Sequence, residues 1–378
     1  MSASEPVRVL HLIKGLGPGG AERLLVSFAE VADPAVATHE VAYLLPVKQH
    51  LVPELDRLGV RTHLLAGSRG LGDPRWPLRL RRLARGFDVV HLHSPAVAAM
   101  ARPLLRTLRR APALVSTEHN VWSGHSWPTR LANAVTLPFD HERLAVSQQV
   151  VDSSWRPWRA KTRVLVHGIP AARLRVDPAE RTAARREQGW REDDVVVVVV
   201  ANLRAQKDYP TLFRAAAAAI AAEPRLRFVS IGQGPLEAAL RAELARHGLG
   251  ERFVMLGYHP DPRSVLAGAD VFTLTSRDEG LSIALLEAMA SGLPPVVTAV
   301  GGIPTVVTHE RDALVVAPGA PQQLADAYVR LAREPELRTT LSQRAHRRAE
   351  DFDIARAARE LEATYLRAGR RRSGDPER

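Results

Sequence analysis

Short apolar segments alternate with longer segments of helical periodicity along almost the whole chain. In the first half, the apolar segments predict seven strands at residues 7–13, 41–45, 60–65, 88–93, 113–117, 143–146 and 164–167. In the second half they predict six, at residues 195–201, 226–231, 253–256, 271–275, 295–298 and 313–316. Between the strands, helices are predicted at segments such as 21–31, 211–222, 236–247 and 284–291. Such alternation is typical of parallel sheets covered by helices on both faces.

The number of strands favours two domains over a single barrel, because it exceeds the eight strands of a barrel. A length of 378 residues also fits two domains of ordinary size. We place a first domain at residues 1–170, a second at 171–352, and a terminal helical segment at 353–370. The Pro- and Arg-rich residues 168–186 are predicted to be a linker, and residues 370–378 a disordered end.

Composition excludes several classes of protein. With 46% hydrophobic and 25% charged residues, the chain is neither disordered nor collagen-like. It has no cysteine, which excludes disulfides, thiolate metal sites and a cysteine nucleophile. The longest apolar runs are far shorter than the roughly 20 residues of a membrane helix. Residues 1–14 lack the pattern of a signal peptide, so we expect a cytoplasmic protein.

Positive charge is concentrated in the first half, where residues 1–165 hold 22 Lys and Arg against 13 Asp and Glu. A basic half fits an anionic membrane surface or an acidic substrate, and a genome biased toward arginine explains it equally well. Tryptophan and arginine interleave at Trp122, Trp127, Arg130, Trp155, Trp158 and Arg159. This pattern favours peripheral attachment to the inner face of the plasma membrane, with aromatic packing as the alternative. No nucleic-acid recognition motif is present, so no nucleic-acid partner is expected.

Ligands of open parallel sheets gather at the carboxyl ends of the strands, which directs attention to three loops. The first, residues 15–20, is glycine-rich, and Gly19 and Gly20 leave room for a ligand. It lacks the downstream acidic residue of NAD-binding loops, and a tight turn is the alternative. In the second loop, Arg204 and Lys207 suit a diphosphate, against the alternative of a solvated basic loop.

The third loop, residues 278–294, contains Glu279 and Glu287 and carries the most specific motif. The amides at 280–282, at the start of a predicted helix, suit phosphate oxygens. A glutamate among apolar helical residues needs hydrogen-bond donors such as ribose hydroxyls, unless it is exposed.

Eight segments taken in order resemble retaining glycosyltransferases of family 4, which have the GT-B fold. These segments are residues 17–22, 88–94, 116–120, 145–147, 202–207, 231–235, 279–294 and 300–304. The resemblance implies two Rossmann-like domains facing a cleft, with the C-terminal helix crossing back to the first domain. It also implies metal-independent transfer from a nucleotide-sugar, a UDP-sugar or alternatively a GDP-sugar, with no further cofactor. The expected acceptor is a glycan or a lipid-linked molecule, as in the synthesis of cell-envelope polysaccharide or glycolipid.

The resemblance also implies roles for individual residues. Glu287 would hold the ribose, Glu279 the donor sugar and Lys207 the diphosphate. His119 would lie near the junction of sugar and acceptor. The remaining donor contacts would come from Gly19, Gly20, Gly232, Gly234, Tyr258, Gly280, Leu281 and Ser282. Asn202 stands where the family usually has an arginine, and Arg204 is the nearest replacement.

Two other interpretations remain open at this point. A nucleotide-sugar epimerase shares the same two-domain fold and would be an isomerase. For a metal, the Asp-X-Asp triplet at Asp351 and Asp353 opens the last predicted helix and is better interpreted as the cap of that helix. His91, His93 and His119 are interpreted as core or cleft-lining histidines rather than metal ligands.

Overall fold

The computed structural model describes residues 5–17 and 19–373. It divides into two compact units, the first formed by Met1–Gly168 with Ile354–Arg378, and the second by Ile169–Asp353. Each unit contains one parallel sheet, so the α/β architecture predicted from the alternating pattern is confirmed.

The sheet of the first unit has seven parallel strands in the order β3-β2-β1-β4-β5-β6-β7. The strands are β1 (Val7–Ile13), β2 (Ala37–Tyr43), β3 (Arg61–Leu64), β4 (Val89–Leu92), β5 (Ala113–Glu118), β6 (Glu142–Ala145) and β7 (Arg163–Val164). The order reverses between β1 and β4, which opens a space between the loops that follow these two strands.

Helices cover both faces of this sheet, because alternate residues of each strand point in opposite directions. Leu10 packs with Leu80 and Ala101 on one face, and Val9 packs with Phe28 and Tyr365 on the other. The helices are α1 (Gly20–Ala29), α2 (Val52–Arg57), α3 (Trp76–Leu83), α4 (Pro95–Arg106), α5 (Trp127–Thr136), α6 (Gln148–Ser153), α7 (Arg156–Arg159) and α17 (Ile354–Ser373).

The sheet of the second unit has six parallel strands in the order β10-β9-β8-β11-β12-β13, reversing between β8 and β11. They are β8 (Val195–Val200), β9 (Leu226–Ile231), β10 (Phe253–Gly257), β11 (Val271–Leu274), β12 (Pro295–Thr298) and β13 (Leu314–Val316). The helices are α8 (Ala171–Leu174), α9 (Pro178–Glu187), α10 (Tyr209–Ala222), α11 (Glu237–Arg246), α12 (Pro262–Leu266), α13 (Ile283–Ala290), α14 (Ile303–Val306), α15 (Pro321–Arg333) and α16 (Pro335–Glu350).

The boundary between the two units, after Gly168, lies at the start of the predicted linker, but α8 and α9 occupy most of the residues that follow in this segment. Helix α9 begins with a capping box, in which Asp177 and Glu180 each accept a hydrogen bond from the other's backbone amide. Because α9 is rich in arginine and other charged residues, its sequence shows no clear helical spacing of apolar residues. The capping box, however, can be recognised in the sequence.

The C-terminal end also differs from the expectation. Helix α17 continues to Ser373, beyond the predicted start of disorder at 370, and residues 374–378 lie outside the described part. Asp351 caps the carboxyl end of α16 and pairs with Arg348 at 2.7 Å, while Asp353 directly precedes α17. Helix α17 packs against β1, β4 and β5 of the first unit, where Tyr365 is fully buried.

Candidate active site

The loops after β8 and β11 lie side by side at the point where the strand order of the second unit reverses. They bring together Lys207 and Glu279, whose ammonium and carboxylate groups form an ion pair. Only 16% of the Lys207 side chain and 9% of the Glu279 side chain are exposed. Ser276 donates a second hydrogen bond of 2.8 Å to the same carboxylate. Two residues predicted for the site from separate loops are therefore in direct contact.

A second ion pair fastens the same two loops together. The guanidinium of Arg277 donates to both carboxylate oxygens of Asp208, at 2.8 and 3.1 Å. The carboxylate of Asp208 is buried, and its backbone is in the left-handed region with φ 47°. Thr275 adds a hydrogen bond of 3.0 Å from its hydroxyl to the carbonyl of Lys207. These contacts hold Lys207 in place by its backbone as well as by its side chain.

Three glycines allow the backbone to pass close to these loops. A Cβ atom at Gly232 would lie 2.0 Å from the carbonyl oxygen of Ala201, and one at Gly234 would lie 2.4 Å from that of Leu203. At Gly301, with φ +64°, a Cβ would lie 1.9 Å from the carbonyl oxygen of Glu279. No side chain fits at these positions, which explains why glycine follows β9 and β12 here. Gly232 and Gly234 thus border the loop that holds Asn202 and Arg204.

Helix α13 begins directly beside the Lys207–Glu279 pair. Ser282 is its N-cap, and its side chain accepts a hydrogen bond of 3.3 Å from the amide of Leu285. Gly280 is fixed by its carbonyl, which accepts from the amide of Gly302 at 2.9 Å. The Leu281 side chain is half-buried. Because the first amides of a helix lack intrahelical acceptors, this end attracts anions.

Other predicted residues surround this group at the same edge of the second sheet. Glu287 lies half-buried in α13, between the buried residues Leu286 and Ala288. Arg204 and Asn202 are exposed after β8, and Tyr258 is exposed directly after β10. Asp278 was not singled out from the sequence, yet burial and the neighbouring Glu279 raise the pKa of its carboxyl group. Its position between Arg277 and Glu279 is the signal that could have identified it.

In the first unit, the glycine-rich loop follows β1, and Gly19 is the N-cap of α1. The carbonyl of Gly19 accepts a hydrogen bond of 2.9 Å from the amide of Arg23, and no side chain caps this helix. Gly20, the first residue of α1, is exposed. Gly19 and Gly20 carry no side chains of their own, but the carboxylate of Glu22 lies against Gly19, where a Cβ atom would be 2.2 Å from its Oε2. Pro18 lies outside the described residues.

His119 follows β5 and contacts two other histidines. Its Nε2 atom lies 3.3 Å from Nδ1 of His93, and its ring stacks on that of His167 with centroids 5.4 Å apart. Burial lowers the pKa of His119 from 6.5 to about 3. At neutral pH the ring is therefore uncharged and acts as a hydrogen-bond donor or acceptor rather than as a cation.

Comparison with known proteins identifies the family. Residues 18–173 match the model of "Glycosyltransferase Family 4", and residues 180–348 match that of "Glycosyl transferases group 1". The D-inositol 3-phosphate glycosyltransferase of Kribbella flavida is 30% identical, over 93% of this chain and 91% of the relative. The chain belongs to glycosyltransferase family 4. The alpha-D-kanosaminyltransferase of Streptomyces kanamyceticus is 28% identical over 81% of the chain and 84% of its own length.

Solved structures agree with this glycosyltransferase fold. HepE of Anabaena, solved in complex with UDP-glucose, superposes with a TM-score of 0.85 at 20% identity, covering 95% of this chain and 99% of HepE. Sucrose-phosphate synthase of Thermosynechococcus elongatus superposes with a TM-score of 0.78 at 18% identity, covering 96% and 98% of the two chains. The GT-B fold is therefore confirmed. The epimerase alternative gains no support, because the two sequence relatives are named for glycosyl transfer.

Some of the tryptophans and basic residues of the first unit of this glycosyltransferase are buried. Arg102 is fully buried, where its guanidinium donates to Asp140 at 2.8 Å. Trp122 is buried, and the guanidinium of Arg143 lies over the ring of Trp158 at 4.9 Å from its centroid. Part of the Trp–Arg pattern thus belongs to the interior of the first unit. No helix among residues 5–17 and 19–373 has the length and apolarity needed to cross a bilayer.

The histidines of the glycosyltransferase form a larger cluster than predicted. Nitrogen atoms of His11, His91 and His93 lie within 4.8 Å of one another. Both ring nitrogens of His91 already contact hydroxyl groups at 2.7 Å, those of Tyr365 and Thr117. A metal bound by these three histidines would have to displace one of the two hydroxyls. His11 was not predicted to belong to this cluster, because a single histidine in an apolar strand does not by itself indicate a site.

Proposed function

We propose that this glycosyltransferase moves a sugar from a UDP-sugar to a hydroxyl group of a glycan or lipid-linked acceptor, with retention and without a metal. A GDP-sugar is the alternative donor. The observation that carries the proposal is the Lys207–Glu279 pair beside the start of α13. It unites a cation for a diphosphate, a carboxylate for sugar hydroxyls and a helix end for phosphate oxygens. The structure of HepE with UDP-glucose supports the choice of donor.

The reaction follows from the charges that develop when the sugar leaves the diphosphate. Negative charge grows on the leaving phosphate, which Lys207 and the first amides of α13 stabilise. Arg204 adds a second cation, replacing the arginine expected at the position of Asn202. Gly232 and Gly234 provide a surface without side chains for the nucleotide, and Tyr258 provides a ring for the base. Gly19 and Gly20 of the first unit approach the donor phosphate.

The acceptor hydroxyl attacks the sugar on the face that the diphosphate leaves. In this pathway the leaving phosphate oxygen takes the acceptor proton, so the anomeric configuration is retained and no enzyme nucleophile is required. His119 of the first unit contacts the sugar near its junction with the acceptor. Glu279 holds the donor sugar by its hydroxyl groups while the glycosidic bond to phosphate breaks.

Glu287→Gln is expected to weaken UDP binding about 10- to 100-fold, because the side chain loses its negative charge and one of its two acceptor oxygens becomes an NH2 donor. Isothermal titration calorimetry with UDP measures the effect. Glu243→Gln, at a half-buried glutamate of α11 in the same unit, is the matched control and leaves the Kd unchanged. Equal Kd values for the wild type and Glu287→Gln would remove Glu287 from the donor site.

We further propose that helix α5 attaches the enzyme to an anionic bilayer. Trp127, Leu131 and Val135 are spaced by four residues and therefore share one side of the helix. Their exposed fractions are 65%, 37% and 66%. Trp155 is 48% exposed and contacts Trp122, which packs against α5. The cations Arg156 and Arg159 follow Trp155 in α7. This combination of apolar and basic side chains fits a lipid surface.

The double variant Trp127→Ser, Val135→Ser is expected to bind vesicles about tenfold less well, since two apolar side chains no longer enter the bilayer. Co-sedimentation with phosphatidylcholine vesicles, with and without phosphatidylglycerol, measures this. Val47→Ser replaces a valine of the first unit that is 79% exposed and serves as the control. If the wild-type enzyme sediments equally with both kinds of vesicle, the bilayer proposal fails.

A further inference from the structure

Four histidines form a continuous hydrogen-bonded row across the sheet of the first unit. His39 lies on β2, His11 on β1, and His93 and His119 follow β4 and β5, which are neighbours in the sheet in this order. Successive ring nitrogens are 3.2, 3.0 and 3.3 Å apart. The row ends at His119, the residue for which we propose a contact with the donor sugar.

The three contacts of the row have the same polarity. Each joins the Nδ1 atom of one ring to the Nε2 atom of the next: His39 Nδ1 to His11 Nε2, His11 Nδ1 to His93 Nε2, and His93 Nδ1 to His119 Nε2. A neutral imidazole carries one N–H group. The row is therefore fully hydrogen-bonded in only two arrangements, with every proton on Nδ1 or every proton on Nε2.

The rings of the row are kept neutral by their surroundings. Burial lowers the pKa of His39 to about 4 and that of His119 to about 3, and it lowers the pKa of His11 and His93 well below 6.5. The adjacent groups are uncharged as well. His91 is held by Tyr365 and Thr117, and Tyr365 also packs against His11 and His39.

The far end of the row decides between the two arrangements. Nε2 of His39 is buried and has no hydrogen-bond partner among the described residues. With every proton on Nε2, a buried N–H group would have no acceptor. With every proton on Nδ1, the Nε2 atom of His39 has only a lone pair without a donor. Buried donors without acceptors are the rarer case in proteins, because they lose a full hydrogen bond to water.

We propose that the row fixes the tautomer of His119, with its proton on Nδ1. This inference rests on the proposed function, because it concerns the hydrogen bond that His119 makes to the donor sugar in that function. Its Nε2 accepts from His93, and its Nδ1–H is left to donate a hydrogen bond to a sugar hydroxyl oxygen. His93, His11 and His39 are positioning residues, because they act on the sugar only through His119.

The tautomers can be measured in the free enzyme by long-range 1H–15N correlation on histidine-labelled protein at pH 7.5. We expect all four rings of the row to carry the proton on Nδ1, although free histidine prefers Nε2. A mixture of tautomers, or protons on Nε2, would overturn the proposal. Zn²⁺ that binds tightly and shifts the His11 and His93 nitrogens would overturn it as well, since the row would then be a metal site.

The variant His39→Glu tests the coupling along the row. A carboxylate can only accept, so it requires a proton on Nε2 of His11, and the proton of His119 is expected to move to Nε2. Thr38→Glu places the same group at an exposed neighbouring position of β2, whose side chain points to the opposite face. This control leaves His119 unchanged. If His119 keeps its tautomer in a folded His39→Glu protein, the coupling is absent.

Activity separates this inference from the proposed function. We expect His39→Glu to lower kcat/KM about tenfold, the effect of one misdirected hydrogen bond, with an unchanged Kd for UDP. A switched tautomer with unchanged kcat/KM would leave the row intact and remove His119 from sugar transfer. If the variant does not fold, the wild-type tautomers still decide the proposal.

Discussion

Lys207→Ala is expected to lower kcat by about 10²- to 10³-fold, because the leaving diphosphate loses a preorganised cation. The same change leaves the carboxylate of Glu279 without its cation in a site where only 9% of that side chain is exposed. Removing one partner of a buried pair costs roughly 3–5 kcal/mol of folding stability. Steady-state kinetics with a UDP-sugar and chemical unfolding of the same preparation measure the two effects.

A second variant separates these two effects. Lys207→Ala, Glu279→Gln removes the uncompensated carboxylate, and we expect it to recover most of the lost stability but none of the lost kcat. Arg330→Ala is the control, since it breaks the exposed pair with Glu310 and costs about 1 kcal/mol or less. A kcat for Lys207→Ala within threefold of the wild type would exclude Lys207 from the stabilisation of the leaving group.

Acidification is expected to destabilise the first unit steeply below about pH 6.5. The pKa is lowered to about 4 in His39 and His167 and to about 3 in His119, by burial in each case. Above pH 6.5 these rings are neutral in both the folded and the unfolded chain. As the pH falls, the unfolded chain takes up protons that the folded unit refuses, so stability is lost until the folded pKa is reached.

The size of this loss follows from the linkage of protonation to folding. At pH 5.5 each of the three histidines contributes about 1.4 kcal/mol, or about 4 kcal/mol together, and His11, His91 and His93 add to it. Unfolding by urea between pH 7.5 and 5.5 gives the slope of stability against pH. The slope is proportional to the number of protons taken up on unfolding. His39→Gln removes one of the histidines involved and is expected to lower that number by about one. A stability that does not change across this range would show that the buried histidines take up protons in the folded state.

The strands were predictable because each is a short, strongly apolar segment between polar loops. The prediction places β9 to the residue, and it places β8, with its six consecutive valines, to within one residue at the carboxyl end. In β2 the structure begins four residues before the predicted segment, since Thr38, His39 and Glu40 interrupt the apolar pattern. Pairing with β1 holds these polar residues in the strand, and pairing is not visible in local sequence.

The residues of the candidate site were predictable where they belong to a single loop, but the contacts between loops were not. The sequence placed Lys207 and Glu279 at the ends of two strands, but their direct contact depends on the reversal of strand order between β8 and β11. The pairing of Arg277 with Asp208 depends on the same reversal. The histidine row depends on the order of four strands, each of which contributes one histidine, either within the strand or directly after it. Contacts between distant parts of the chain are therefore what the sequence analysis missed.

The return of α17 to the first unit has a consequence for synthesis of the protein. The second unit is one continuous stretch, Ile169–Asp353, whereas the first also requires Ile354–Arg378. While the chain leaves the ribosome, the second unit can acquire its full complement of residues before the first does. The sheet face that Tyr365 covers stays open until α17 has been synthesised. Chains released early would expose this apolar face and the histidines beside it, which makes them targets for chaperones and proteases.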